Sequence, residues 1–125
     1  MLCLTACSKK ITFPGSSLVP EARGSVKVKK DKNNNYALNI HVENLPKPEN
    51  LTPAHEDYVV WMETNNGSVK NIGRLVSASG LFSKKLKAAL ETVTPFEPVR
   101  VFITAEDNAG IQYPGSDVVL RTRSF

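Results

Sequence analysis

Cysteine is scarce and confined to one place: the only two, Cys3 and Cys7, fall in the first seven residues. A Cys3–Cys7 disulfide would close a tiny loop and stabilise almost nothing. A structural zinc site needs about four Cys and His ligands, and the only histidines, His41 and His55, stand at no suitable spacing to the cysteines. Long apolar runs are missing too. No stretch approaches the ~18 residues of a membrane-crossing helix. The chain has no G-x-S-x-G elbow and no glycine loop of the kind that cradles phosphate. His41 falls on the polar side of a strand pattern and His55 in a proline-rich loop, so both are expected to be solvated, and no triad can be assembled around them. The acidic pairs Glu56-Asp57 and Glu106-Asp107 are adjacent, and neighbours on a strand point to opposite faces and cannot share a substrate. The stretch "EDNAG" at 106–110 lacks the D-x-[DN]-x-[DN]-G spacing of a calcium loop and is expected to be a turn. These absences leave no catalytic residue, no metal ligand and no cofactor to assign, and an enzyme is not expected.

Charge is present but dispersed. The net charge is +4, from 16 basic and 12 acidic residues, with much of the excess in Lys27, Lys29, Lys30, Lys32 and in Lys84, Lys85, Lys87. That falls short of the concentrated basic stripe of a nucleic-acid binder, and no nucleic acid is expected as a partner. It permits contact with anionic lipid or polysaccharide. The plainer expectation is solvated lysines that discourage edge-to-edge strand pairing.

What the sequence does contain begins with "LTAC", Leu4 to Cys7. This run resembles the lipobox that ends a bacterial lipoprotein signal peptide. Small residues before the cysteine let a peptidase approach the backbone, and the thiol is nucleophilic enough to take a diacylglyceryl group. Residues 1–6 are then a shortened signal remnant, well under the roughly 7–15 apolar residues of a full h-region. Cys7 becomes the lipidation site. Acyl chains contribute about 0.8 kcal/mol per buried CH₂, so a diacylated or triacylated cysteine anchors firmly. Residues 7–24, rich in Pro, Gly and Ser, are expected to form a flexible lipidated tether. A domain of residues 25–125 follows, and at this length one core suffices without metals or disulfides.

That domain alternates with period two. Val26 and Val28 share one face; Leu38, Ile40 and Val42 share another with Tyr36, opposite Asn39, His41 and Glu43. "DKNNN" supplies turn residues that tolerate positive φ. "PKPENLTPAHED" is too long for a hairpin and suits a crossing between sheets. "YVVWMET" is apolar on both faces, as a central strand should be, and Asn66-Gly67 is the pair of a type I′ hairpin turn. "VRVFITAED" is a clear strand, and "VVLRTRSF" closes the domain. Residues 81–92 fit a helical face and a strand face equally well. About seven strands at this spacing predict an all-β antiparallel sandwich.

The order of elements carries a resemblance. Tyr58, Trp61 and Met62 precede a hairpin with Gly67 and Gly73. Then come Thr104 and Glu106, a loop with Gly110 and Pro114, and Val118 to Leu120. Over residues 36–121 this is similar to the extracytoplasmic C-terminal domain of anti-sigma-K factors. The resemblance implies an immunoglobulin-like fold, and it favours strand for residues 81–92. Those factors carry a sigma-binding part and a membrane helix ahead of the domain, where this chain has a lipobox, so sigma-factor inhibition is not implied.

Function is therefore expected to be non-enzymatic: a cell-envelope lipoprotein held to a membrane through the lipid on Cys7, whose sandwich binds or positions an envelope protein or glycan. The alternatives are a regulatory partner of a separately encoded anti-sigma system and a small glycan-binding module. Tyr58, Trp61 and Tyr113 are the candidate ligand contacts. One of Tyr58 and Trp61 should plug the core, with the other covering the second sheet face or standing as a platform. Ser8, in place of an aspartate after the cysteine, favours the outer membrane, facing the periplasm.

Overall fold

The computed structural model describes residues 8–77 and 85–125. Cys3, Cys7, the remnant 1–6 and the start of the ambiguous 81–92 stretch lie outside the described residues. Nine strands are present among those described: β1 (Ser8–Thr12), β2 (Arg23–Lys30), β3 (Tyr36–Pro46), β4 (Asp57–Thr64), β5 (Val69–Arg74), β6 (Val76–Ser77), β7 (Lys85–Thr94), β8 (Pro98–Glu106) and β9 (Val118–Arg121). They form two antiparallel sheets, β1-β2-β3-β7-β6 and β5-β4-β8-β9. The order β2-β3-β7-β6 facing β5-β4-β8-β9 is the A-B-E-D and C′-C-F-G arrangement of immunoglobulin-type sandwiches.

Alternation explains most of it. Val26, Val28, Leu38, Ile40 and Val42 point inward and meet Tyr58, Val60, Met62, Val101 and Ile103 from the other sheet, all buried in one core. The β2–β3 turn is held by Asp31, whose Oδ1 accepts the N–H groups of Asn33 and Asn35 at 2.8 and 2.9 Å, while Asn34 takes φ 62°. The proline-rich crossing carries a one-turn 3-10 helix, Pro48–Asn50, and moves the chain from one sheet to the other.

Four expectations need correction or completion. The tether does not exist as such beyond Cys7. Ser8–Thr12 pairs with β2 in register Ser8↔Lys29 to Thr12↔Ser25, and Phe13, Val19 and Ala22 are buried in the core. The Pro and Gly residues there break the segment's period, yet three apolar side chains suffice to seat it. The sandwich therefore includes the described residues from Ser8 on, ahead of residue 25, and its strand number exceeds seven through β1 and the two-residue β6. The β4–β5 turn is not type I′. Gly67 alone has positive φ, at 86°, and its N–H donates to Thr64 O at 3.0 Å, while the Thr64 N–H donates to Ser68 O at 2.9 Å. This is a three-residue loop closed by a left-handed glycine. Finally, within the ambiguous stretch, residues 85–94 are strand β7, paired along β3.

Candidate functional site

The end of the sandwich where β4 starts and β8 stops gathers the polar chemistry. Register brings it about. Asp57 pairs with Glu106, so the residues just before β4 meet those just after β8. The Glu56 N–H donates to Glu106 O at 3.0 Å and the His55 N–H to Pro48 O at 2.9 Å, which pins the backbone of the crossing loop. On the other side, the Ala105 N–H donates to Asp117 O at 3.0 Å and holds the β8–β9 loop.

His55 projects between the two loops. Its Nδ1 lies 3.1 Å from Asp107 Oδ1 and its Nε2 lies 2.7 Å from Asp117 Oδ2. Ionised carboxylates only accept, so both contacts are N–H donors together when the ring is the imidazolium. The His55 side chain is 15% exposed, against 74% for Asp107 and 36% for Asp117. The hydrogen bond to Asp117 raises the imidazole above its ordinary value; partial burial works against this, and Asp107 adds to it. Both ring nitrogens are engaged by carboxylates. The ring cross-links the two loops.

A second network lies beneath. The Trp61 indole N–H donates to Thr104 Oγ1 at 2.8 Å, and the Thr104 hydroxyl donates to Glu106 Oε2 at 2.7 Å. The same Oε2 accepts the Gly115 N–H at 2.7 Å. A side chain at Gly115 would put its Cβ 2.9 Å from Glu106 Oε1, so the carboxylate would have to shift to admit one. Asn71 adds a further tie, its Nδ2 donating to Ala109 O at 2.8 Å and to Ile111 O at 2.9 Å. Trp61, Val59 and Phe102 are thereby sealed on the outer face of their sheet under Ala109 and Ile111.

These contacts decide the candidate ligand residues. Tyr58 belongs to the core and Trp61 to the covered outer face, so the two do point apart. Neither presents an open ring, which corrects their assignment as ligand contacts. The Tyr58 hydroxyl donates to Pro46 O at 2.7 Å, and burial, then the charge of Glu49, push the phenol above its ordinary range. Trp61 is fully buried because the 107–117 loop folds over it. Tyr113, on that same loop, is 80% exposed. The three tyrosine and tryptophan rings are not brought together. Cys7 lies outside the described residues.

Two clefts open at this end. One of about 340 Å³ is bordered by Leu18, Pro46, Leu51, Pro53, His55 and Asp117. The other, about 320 Å³, is bordered by Lys47, Glu49, Asp57, Tyr58, Arg74 and Leu75, with Arg74 Nη1 3.3 Å from Asp57 Oδ1. In "EDNAG", Glu106 faces Thr104 and Gly115, Asp107 faces His55, and Asn108 Oδ1 accepts the Gly110 N–H at 2.8 Å. The three side chains face three different ways, as in a turn. Among the described residues, no group of three or more His, Cys, Asp or Glu is placed to hold a metal ion, and no helix is long and apolar enough to cross a membrane.

His55 is where the sequence reading missed most: the ring is clamped, not solvated. Its partners are 52 and 62 residues away, so no local spacing announces them. The only available signal was that a histidine just before one strand meets an acidic pair ending the strand beside it.

Comparison of the chain with protein-family models, with curated proteins and with solved structures finds no match in any of the three. No family is identified for the chain, and the structure shows an all-β two-sheet sandwich. Trp61, Thr104 and Glu106 form a hydrogen-bonded chain that runs from the buried indole to a partly exposed carboxylate.

Proposed function

We propose that this protein is a lipid-anchored component of the bacterial cell envelope, whose sandwich binds or positions another envelope component without catalysis. One observation carries the reading: Leu4-Thr5-Ala6-Cys7 is followed at once, from Ser8, by a folded sandwich strand. The lipid-bearing residue then adjoins the domain with no leash between them. The engaged nitrogens of His55 favour a non-enzymatic role, and the resemblance to an extracytoplasmic domain favours an envelope location. Ser8 after the cysteine favours the outer membrane, facing the periplasm.

The test is fractionation with mass spectrometry. Native protein should carry an acylated Cys7 as its first residue, and Cys7→Ser should move the protein from the membrane to the soluble fraction. An unmodified thiol behind an intact Met1, or unchanged fractionation of the variant, overturns the reading. A second reading, a glycan-binding module, is favoured by the exposure of Tyr113, whose ring is free to stack on a sugar face. Titration with peptidoglycan fragments would then quench or shift Tyr113, and Tyr113→Ala would abolish the response.

A further inference from the structure

We propose that the end of the sandwich at which Ser8 lies is itself a docking surface for an anionic phospholipid bilayer. This rests on the lipoprotein reading for which end is held near the membrane. The topology gathers the start of β1, the β2–β3 turn, the β4–β5 hairpin, the β7–β8 loop and the chain's last residues at that end. Registers Ser8↔Lys29, Lys30↔Tyr36, Tyr36↔Thr94 and Thr64↔Pro98 place them there, and the Phe125 N–H donates to Val99 O at 2.8 Å.

The chemistry of this end is unusual for the molecule. Lys9, Lys29, Lys30 and Lys32 are exposed, and among the described residues none of them has an acidic side chain within salt-bridge distance. The one nearby carboxylate on the turn, Asp31, has its Oδ1 occupied by two backbone N–H groups. Lower on the sheet face that carries Lys29, Lys10 stands directly opposite Lys27. Like charges so placed are destabilising, which makes the strip a cost to folding that an external anion would relieve. Exposed apolar groups lie at the same end: Val69, Val93 and Phe96. Val93 shares an outer-face row with Ser8, Lys29 and Ala37. A cleft of about 350 Å³ lies here between Lys9, Lys30, Tyr36, Glu97, Pro98 and Phe125, with two cations against one carboxylate.

Cations mixed with an aromatic and aliphatic side chains suit the boundary between lipid headgroups and acyl chains. Each lysine close to an anionic leaflet contributes about a fivefold gain in partitioning. The opposite end, carrying Glu56, Asp57, Asp107 and Asp117, would be repelled. The lipid and the lysines thus act at one end and orient the sandwich, with the His55 clamp turned away from the bilayer.

The test uses the full chain carrying Cys7→Ser, so that no acyl group contributes. Its flotation is measured with vesicles of phosphatidylcholine alone and of phosphatidylcholine containing phosphatidylglycerol. Binding is expected only with phosphatidylglycerol, and it should weaken as salt shortens the Debye length from about 10 Å at 0.1 M. Adding Lys29→Gln, Lys30→Gln and Lys32→Gln should cut binding on the order of a hundredfold. The same charge removed by Arg23→Gln, Lys47→Gln and Lys87→Gln should cost less than about threefold, since those side chains lie away from the surface. Equal losses for the two triples would mean net charge alone, and would overturn the surface. So would no binding at low salt, or equal binding to a lipid-free acidic polysaccharide. The acylation state of native Cys7 is read separately by mass spectrometry, so failure of the anchor and failure of the surface give different results.

Discussion

At the end of the sandwich where β8 stops, carboxylates are tied to partners: Glu106 under Thr104 and Gly115, the partly buried Asp117 and the exposed Asp107 on either side of His55. At the end where β1 begins, Lys9, Lys29, Lys30 and Lys32 are exposed and outnumber the acids Asp31 and Glu97. Among the described residues, no salt bridge ties these lysines down. The comparison separates two uses of charge. Charge that is partnered and half-buried costs desolvation and returns a fixed loop geometry, because the partners hold each other in place. Charge left exposed adds almost nothing to the fold and remains free for something outside it. One end has the marks of construction, and the other the marks of contact.

The largest effect should come from breaking the built end at its base. Thr104→Val keeps shape and volume while leaving the Trp61 N–H without an acceptor and Glu106 with only one of its two donors, the Gly115 N–H. Stability should fall by roughly 2 kcal/mol, within the range of about 1–3 for an orphaned buried polar group. Urea denaturation should show a lower midpoint at an unchanged slope. A midpoint equal to that of the parent would mean that the network only decorates a core already held by packing.

The next effect is smaller and depends on pH. The folded state raises the pKa of His55, so its contribution is fully present below the unfolded value of about 6.5 and is lost as pH rises through the folded value. Unfolding free energy should therefore decline across that window in the parent, and His55→Ala should remove the decline. Asp117 makes the shorter contact and is the less exposed partner, so Asp117→Asn should lower the His55 midpoint, followed by NMR, more than Asp107→Asn does. The reverse order would mean that the exposed aspartate dominates, and the clamp would then be a surface ion pair.

How much of this was legible beforehand follows from the range of each interaction. Period-two runs such as "YALNIHVENL" and "VRVFITAED" announce strands because a half-buried strand is a local pattern. The all-apolar "YVVWMET" announces a central one because both of its faces are covered. The crossing loop was legible from its prolines. Residues 8–22 were not, since Phe13, Val19 and Ala22 are too irregularly spaced to show a period, and only the edge of β2 tells the chain where to lie. The His55 clamp was illegible for a related reason. It exists only once the β4–β8 register has brought two distant loops together.

The smallest effect tests the comparison most directly, through its sign. If the lysines of the basic end were structural, neutralising one would cost stability. If they are held apart for an external anion, removing one of a facing pair should help the fold. Lys27→Gln relieves the Lys10↔Lys27 opposition, and stability should rise by a few tenths of a kcal/mol, as expected for like charges directly across a strand pair. The gain should shrink at high salt, where the repulsion is already screened. A loss in its place would show that Lys27 is tied into the sheet, and the contrast between the built and the open end would fail at that residue.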